Sequence, residues 1–166
     1  MCIVIDTNAL AKVFEVSCAE HQEFRPVLDW ICNGKGKIVF GGKTYRKELP
    51  NKYLRIFRIF DAARKLVLVN ASEVDDIEVD LYKKVQHRDF DDAHIIAIII
   101  VSGCKLICSD DSRAYSFFKN RALYPNHFAL PRIYSKSSNV NLLNDHYIVG
   151  NCRPSAKVKG LMELFE

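Results

Sequence analysis

The stretch that decides the fold is Met1-Cys2-Ile3-Val4-Ile5-Asp6-Thr7-Asn8-Ala9-Leu10. Residues 2–5 are apolar without a break, which is typical of a strand that is buried on both faces in a parallel sheet. The strand ends at Asp6, where the core of such a sheet meets solvent. Ligands of open parallel sheets bind beyond the carboxyl ends of the strands, so this carboxylate is a candidate site residue. Asn8 is predicted to cap the helix that follows.

The composition predicts one folded domain. The chain has 166 residues, and 49% of them are hydrophobic, which is enough for a substantial core. The longest apolar run, residues 95–101, is too short to span a bilayer, and no basic region precedes the first apolar stretch as it would in a signal peptide. We therefore expect no membrane segment. The net charge of +4 permits a polyanionic partner but does not require one.

Six cysteines are scattered along the chain: Cys2, Cys18, Cys32, Cys104, Cys108 and Cys152. No two of them have the Cys-x-x-Cys spacing, so the pattern argues against a zinc site and against a redox pair. Cys2 and Cys108 lie within strand-like runs and are interpreted as small hydrophobic core residues. We therefore predict a reducing, cytoplasmic location.

Apolar strands alternate with helical segments along the chain. Four strands are predicted at residues 2–5, 37–40, 66–69 and 105–108. A fifth, edge strand is predicted within residues 125–134, with residues 127–130 as its apolar part. Residues 93–101 are apolar nearly all round, which predicts a helix buried between layers. The alternation predicts an α/β fold, namely a three-layer α/β/α sandwich with a central, mostly parallel sheet.

Several residues mark the ends of helices. A helix that carries Glu48 is predicted to be interrupted by Pro50. Ser72, with Asp75 three residues later, resembles a capping box and predicts the start of another helix. Gly103 is predicted to end the buried helix.

The chain changes character after residue 134. Ser, Asn and Lys become frequent there, and the helical periodicity fades. We predict a single domain over residues 1–134 and a C-terminal extension over residues 135–166. The extension is expected to be loose, apart from a short docking helix within residues 158–165.

The acidic residues are spaced so that a parallel sheet would bring them to one edge. They follow the first strand (Asp6), lie on the helix after the second strand (Glu48), begin the buried helix (Asp91 and Asp92) and follow the fourth strand (Asp110 and Asp111). The first and fourth strands would be neighbours if the order of the strands reverses there, and that edge would then be a binding crevice.

Carboxylates that converge in this way need compensation. One pair at about 4 Å repels by roughly 4 kcal/mol at an effective dielectric constant of 20. Protons or a cation must relieve that repulsion, and oxygen ligands without His or Cys indicate Mg²⁺ or Mn²⁺. Such an ion polarises a phosphodiester and activates water for an in-line attack that needs no protein nucleophile. Helices that carry Lys and Arg could hold the phosphate backbone.

Taken in order, these residues resemble the PIN-domain ribonuclease family, which includes the toxins of VapC-type toxin–antitoxin pairs. The resemblance covers about residues 1–134. It depends on Asp6-Thr7-Asn8, a glutamate on the third helix, Asp92-Ala93-His94-Ile95-Ile96-Ala97 and Ser109-Asp110-Asp111. It implies a PIN-like fold, Mg²⁺- or Mn²⁺-dependent endoribonuclease activity, an RNA substrate, a homodimer and a small antitoxin protein as partner.

The resemblance also assigns roles to individual residues. It implies that four acids hold the metal and are catalytic, and that two polar residues support them: Asp6, Glu48, Asp92 and Asp111, with Asn8 and Ser109. Ser109-Asp110-Asp111 fits the family's Thr/Ser-x-Asp pattern with Asp111 as the acid, whereas Cys108-Ser109-Asp110 would place a cysteine where a hydroxyl is expected. Many members of the family carry a further acid at the place where this chain has Arg113, so a fifth ligand is not predicted.

Other charged and polar residues near the site are interpreted as structural. His94 is expected to be a hydrogen-bonded core histidine, and the basic face around Arg55 and Arg58 is expected to be solvated.

Two alternative functions stay open at this point. A non-catalytic module that binds nucleic acid or protein on a PIN-like scaffold would be favoured if Glu48 faced away from the other acids. A phosphatase with an aspartyl nucleophile would require Asp-x-Asp after the first strand, and Asn8 stands where the second Asp should be.

Overall fold

The sheet is five-stranded and parallel throughout. The computed structural model describes residues 2–144, 152, 158 and 160–165. The strands are β1 (Ile3–Ile5), β2 (Ile38–Phe40), β3 (Leu66–Leu68), β4 (Leu106–Cys108) and β5 (Arg132–Tyr134), in the order β3-β2-β1-β4-β5. The three strands β1, β2 and β4 are buried along their whole length, as continuous runs of branched apolar residues require. The predicted α/β class and parallel sheet are confirmed.

Helices cover both faces of this sheet. The α-helices are α1 (Leu10–Phe14), α2 (His21–Cys32), α3 (Lys43–Glu48), α4 (Asn51–Ala62), α5 (Ala71–Lys84), α6 (Ala93–Ser102) and α7 (Tyr115–Phe118). Right-handed crossovers place the helices that precede β3 on one face and those between β3 and β4 on the other. Phe14 of α1 accordingly contacts Phe57 and Phe60 of α4, while α5 packs against α6. The result is a three-layer α/β/α sandwich.

The order of the strands reverses between β1 and β4. From β1 the chain moves outward through β2 to the edge strand β3, and then crosses over to β4 on the other side of β1. Ile5 and Cys108 are paired at the carboxyl ends of these two strands. The segments that follow β1 and β4 therefore border the crevice at the topological switch point.

The helix α6 fills the space between this sheet and α5. Eight of its ten residues are buried, which agrees with a sequence that is apolar all round. Gly103 ends it with a left-handed backbone conformation (φ 69°) and donates its backbone N–H to Ile99. The predicted buried helix and its glycine stop are confirmed.

The fifth strand lies at an edge, as predicted, but not at residues 127–130. His127 has φ 65°, a left-handed conformation that no strand adopts. The strand forms at Arg132–Tyr134, where Arg132 donates its backbone N–H to Lys105 at 2.9 Å and the buried Tyr134 fills the core. Pairing with β4, rather than local apolarity, decides its position.

The predicted loose extension is ordered in its first part. A 3₁₀ helix at Ser137–Leu142 packs on α2 and β5, and Ser137 donates both its backbone N–H and its hydroxyl to Glu23. The predicted docking helix is only a 3₁₀ turn, Met162–Leu164, followed by Phe165, which stacks on Phe60 with ring centroids 5.7 Å apart. The rest of that prediction, at residues 145–151, 153–157, 159 and 166, lies outside the described residues.

Cys2 lies in the core, as predicted, but it is not a free thiol. Cys2 and Cys152 form a disulfide with Cα atoms 5.6 Å apart, and both residues are fully buried. Four thiols are free: Cys18, Cys32, Cys104 and Cys108. The bonded pair is separated by 150 residues, so no spacing motif could indicate it. With a disulfide present, the cysteines no longer indicate a reducing location.

None of the described helices has the length and apolarity that a membrane span requires.

Candidate functional site

Asp6 is the most deeply buried acid at the switch point. It directly follows β1, its backbone N–H donates to Cys108 of β4 at 2.8 Å, and only 1% of its surface is exposed. Burial raises the pKa of Asp6, because desolvation penalises the charged form, while hydrogen bonds to the carboxylate oppose that rise.

Two polar side chains hold the Asp6 carboxylate. Ser109 donates its hydroxyl to Oδ2 at 2.7 Å, and Asn8 donates its amide to the same oxygen at 2.9 Å. The Ser109 hydroxyl also accepts the backbone N–H of Asp111 at 3.2 Å, and Asn8 Oδ1 accepts the backbone N–H of Asp110 at 3.3 Å. The two residues thus tie the segment after β1 to the segment after β4.

Asn8 is not the helix cap that its position predicts. It lies inside a 3₁₀ turn at Thr7–Ala9, and α1 begins after Ala9 without a side-chain cap. Its side chain is turned to Asp6 instead. Asn8 also stands where a phosphatase would need its second aspartate, so no pair of acids is present on this loop.

Glu48 is turned toward the same crevice. It is the last residue of α3, and its side chain is 40% exposed. Oε2 accepts the hydroxyl of Thr7 at 3.2 Å and lies 3.4 Å from Nε2 of His94. Partial burial first, and then the charge of Asp91, raise the pKa of Glu48. Its carboxylate therefore faces the loop that carries Asp6.

Asp92 is half-buried at the start of α6. Desolvation raises its pKa to about 8, and the charges of four other carboxylates contribute. In order of effect, these are Asp6, Asp91, Asp111 and Glu48. The acids predicted from the sequence are therefore close enough to interact electrostatically, and without compensation Asp92 holds a proton near neutral pH.

Asp111 is neutralised by a cation of its own loop. Arg113 donates to Oδ1 from Nε at 3.0 Å and to Oδ2 from Nη2 at 2.5 Å, and its backbone N–H donates to Oδ1 at 2.9 Å. These hydrogen bonds lower the pKa of Asp111. Arg113, which stands where a further acid was considered in the sequence analysis, is therefore in direct contact with one of the predicted acids.

The remaining two acids of the crevice, Asp110 and Asp91, have other contacts. Asp110 is paired with Lys12 of α1. Asp91 accepts the hydroxyl of Tyr82 on its backbone oxygen at 3.0 Å.

The set of acidic side chains in the crevice suits a hard divalent cation, but these side chains do not converge on one point. Its oxygens are carboxylates, and a cation would offset both the desolvation of Asp92 and the repulsion from its acidic neighbours, which together raise its pKa. Within residues 2–144, 152, 158 and 160–165, no three His, Cys, Asp or Glu side chains converge closely enough to share an ion. Glu48 is turned to Thr7, and Asp111 is held by Arg113.

Sequence reasoning assigned no role to three residues of the site. Thr7 contacts Glu48, Lys12 contacts Asp110, and His94 is buried without the hydrogen bond expected of a core histidine. Lys12 lies one turn into the helix predicted to follow Asn8, which could have indicated that it is near the site. Nothing in the sequence indicates the contact of His94 with α3.

Comparison of the chain with protein-family models, with curated proteins and with solved structures finds no match.

Proposed function

We propose that this protein is a Mg²⁺- or Mn²⁺-dependent endoribonuclease of the PIN type. The observation that carries the proposal is the position of four acids, Asp6, Glu48, Asp92 and Asp111, around the carboxyl ends of β1 and β4 at the reversal of the strand order. Ligands of open parallel sheets bind at such a reversal.

The chain's own residues would prepare this site for the ion. Asp6 is fixed by Asn8 and Ser109, and Glu48 is held near it by Thr7. A bound divalent cation would relieve the repulsion between the acids, polarise the scissile phosphate and activate water. Asp92 would give up its proton to take part, because a protonated carboxyl is a poor ligand for a cation.

A basic surface next to the acids supports a polyanionic substrate. Lys43, Arg46 and Lys47 are exposed on α3, the helix that ends at Glu48, and Arg55 and Arg58 are exposed on the next helix. Cations in these positions would contact phosphates of an RNA whose backbone passes Glu48.

The test is cleavage of RNA by the purified protein with Mg²⁺ or Mn²⁺. We expect Asp6→Asn to lower the rate by at least about 100-fold, because the exchange removes a charged oxygen ligand but keeps the size of the side chain. EDTA should abolish cleavage. The matched control is Asp76→Asn, a change of the same charge on the exposed surface of α5, which should leave the rate unchanged.

Cleavage that survives Asp6→Asn would come from a contaminating nuclease and would leave the proposal without support. Metal binding without cleavage of any RNA tested would instead favour the second candidate function.

That second candidate is a non-catalytic module that binds nucleic acid or protein. The engagement of Asp111 by Arg113 and the spread of the other acids favour it. The orientation of Glu48 argues against it, because this side chain faces the Asp6 loop rather than away from it. Tight RNA binding in EDTA with no turnover in Mn²⁺ would identify this function.

Two partners belong to the proposal. A small antitoxin protein would bind the crevice with a basic side chain among the acids, and a second copy of the chain would form a homodimer. Light scattering of the purified protein tests the dimer. Co-purification with the product of a neighbouring gene, lost when the crevice is blocked, tests the antitoxin.

A further inference from the structure

His94 is a buried histidine whose ring nitrogens make no well-formed hydrogen bond within the described residues, although the backbone of Asp91 lies close to the ring. It lies in the first turn of α6, two residues after Asp92, and only 1% of its surface is exposed. Within the described residues, neither Nδ1 nor Nε2 makes a hydrogen bond of normal geometry. Buried polar groups are almost always paired, so an unmatched ring at the border of the acidic crevice needs an explanation.

The ring is aimed at Glu48. Its Nε2 lies 3.4 Å from Oε2 of Glu48, and its other flank contacts the ring of Tyr45, with centroids 6.0 Å apart. Tyr45 and Glu48 both belong to α3, so the position of the imidazole is set by the helix that delivers the glutamate. At 3.4 Å the pair is slightly longer than a normal hydrogen bond, so a small shift of the exposed Glu48 side chain would complete it.

Three other carboxylates influence the ring, namely Glu78, Asp6 and Asp91, and the first two already have hydrogen-bond partners. Glu78 accepts the hydroxyl of Thr44 at 2.8 Å, and Oδ2 of Asp6 accepts hydrogen bonds from Asn8 and Ser109. Glu48, by contrast, is held only by the Thr7 hydroxyl at 3.2 Å among the described residues, and it stands at the end of a six-residue helix. Its carboxylate has one long hydrogen bond and lies within 3.4 Å of a ring nitrogen that has no well-formed hydrogen bond of its own.

We propose that His94 is a positioning residue that donates from Nε2 to Glu48 and fixes its carboxylate in the metal site. With Thr7 and His94 on the same oxygen, Oε2 has two fixed contacts and Oε1 is left to face the crevice. Hydrogen bonds of this kind orient a ligating carboxylate before the ion arrives. The inference deepens the proposed function and depends on it, because it assumes that Glu48 is a ligand.

The experiment measures the affinity for Mn²⁺ by calorimetry in a matched pair of variants. The side-chain nitrogen of His94→Gln reaches about as far as Nε2, whereas that of His94→Asn reaches only as far as Nδ1. Both variants bury the same amide group, so a purely structural effect would change both equally. We expect His94→Asn to weaken Mn²⁺ binding about 10-fold and His94→Gln to stay within about 3-fold of the wild type. In a Glu48→Gln background, His94→Asn should cause no further loss.

Three results would overturn the inference. The first is a wild-type affinity for Mn²⁺ in His94→Asn. The second is an equal loss of Mn²⁺ affinity in His94→Asn and His94→Gln. The third is a full additional loss of affinity when His94→Asn is added to Glu48→Gln. Each leaves the metal site itself intact, since the wild-type protein still binds the ion. Failure of the wild-type protein to bind Mn²⁺ or Mg²⁺ at all would instead overturn the proposed function, and the role of His94 with it.

Discussion

Arg113 determines how much negative charge Asp111 contributes to the crevice. A guanidinium that binds both oxygens of a carboxylate is among the strongest pairings that side chains form. Here the two residues are only two positions apart on one loop, and the guanidinium remains largely solvent-exposed. An ion that recruits Asp111 must therefore compete with a cation of the same loop.

Replacing this cation should strengthen metal binding. We expect Arg113→Gln to tighten Mn²⁺ binding by roughly 3- to 10-fold, because the exchange frees the Asp111 carboxylate and removes a positive charge from the loop. Calorimetry measures the effect. Arg55→Gln, which removes the same charge from the exposed face of α4, should leave the affinity unchanged. An unchanged or weaker affinity in Arg113→Gln would mean that Asp111 is no ligand.

The raised pKa of Asp92 has a consequence for stability in the absence of metal. In the unfolded chain this carboxyl titrates near pH 3.8, whereas in the folded protein it keeps its proton up to about pH 8. The folded state therefore binds more protons between these values, and the free energy of unfolding must fall as the pH rises through that window.

Asp92→Asn should remove this decrease in the free energy of unfolding. In EDTA at pH 8 we expect the variant to be more stable than the wild type by roughly 2 kcal/mol, or about 4–8 °C in melting temperature. At about pH 3 the two should be nearly equal, because the carboxyl is then largely protonated in both the folded and the unfolded wild-type chain. Urea unfolding at both pH values checks this, with Asp76→Asn as the control. A stability gap that does not grow with pH would contradict the assigned pKa.

At the scale of elements, the position of α3 depends on a glycine before it. Gly42 has φ 82°, and a Cβ built there would lie 2.6 Å from a methyl carbon of Val74 on α5. The left-handed turn and the close approach to α5 both require a residue without a side chain. This turn sets the direction of α3 and brings Glu48, six residues later, to the crevice.

The start of α5 is also set by a residue other than the one predicted. Asn70, not Ser72, is the cap, and its side-chain oxygen accepts the backbone N–H groups of Ser72 and Glu73. Its amide donates to the Glu73 carboxylate at 3.1 Å. The Asp75 carboxylate, expected in a capping box, accepts the backbone N–H of Lys43 instead.

This cap can be tested directly. We expect Asn70→Ala to lower the free energy of unfolding by about 1 kcal/mol, because two N–H groups of the first turn of α5 lose their acceptor. Ser72→Ala, at the residue predicted from the sequence, should cost less than about 0.5 kcal/mol. Urea denaturation of the two variants would decide between them, and the reverse order of stability would favour the capping box at Ser72.

At the scale of the whole molecule, the disulfide joins the first strand to the C-terminal segment. Cys2 precedes β1, the central strand of the sheet, and Cys152 lies 150 residues later. Closing so long a loop restricts the unfolded chain much more than the folded one. Phe165 adds a second attachment of this segment, through its contacts with Phe14 and Phe60.

Loss of the disulfide should therefore lower stability strongly. We expect Cys152→Ala to reduce the free energy of unfolding by about 2–4 kcal/mol relative to the wild type under non-reducing conditions. Dithiothreitol should bring the wild type close to the variant, apart from the small difference between a thiol and a methyl group. Cys18→Ala, which changes a free cysteine, is the control. Equal stability of the wild type with and without dithiothreitol would argue against the bond.

Local patterns were sufficient for most of the fold and for the candidate acids. The runs that became β1, β2, β3 and β4 are apolar over consecutive residues, and α6 could be predicted because it is apolar on every side. Asp6, Asp92 and Asp111 could be placed at one edge because each directly follows a strand or starts a buried helix. These predictions needed only the period of the sequence and the geometry of parallel sheets.

The position of β5 and the order in the C-terminal extension were not predicted, because both depend on partners elsewhere in the chain. β5 is positioned by its pairing with β4, and the left-handed backbone conformation of His127 is incompatible with a strand. The segment after residue 134 is ordered by Glu23 on α2, more than 100 residues earlier. No local pattern carries information about contacts of that kind.

The sequence by itself therefore determined the class of the fold and the edge of the sheet at which the candidate acids lie. It did so because hydrophobic periodicity and strand–helix alternation are local properties. Only the tertiary structure decided the charge state of Asp92, the engagement of Asp111 by Arg113, the unpaired ring of His94 against Glu48 and the disulfide of Cys2. Arg113 and Asp111 share one loop, whose conformation is fixed by the fold around it. The other three features depend on distances between residues on different elements, and those distances exist only once the sheet has brought its strands together.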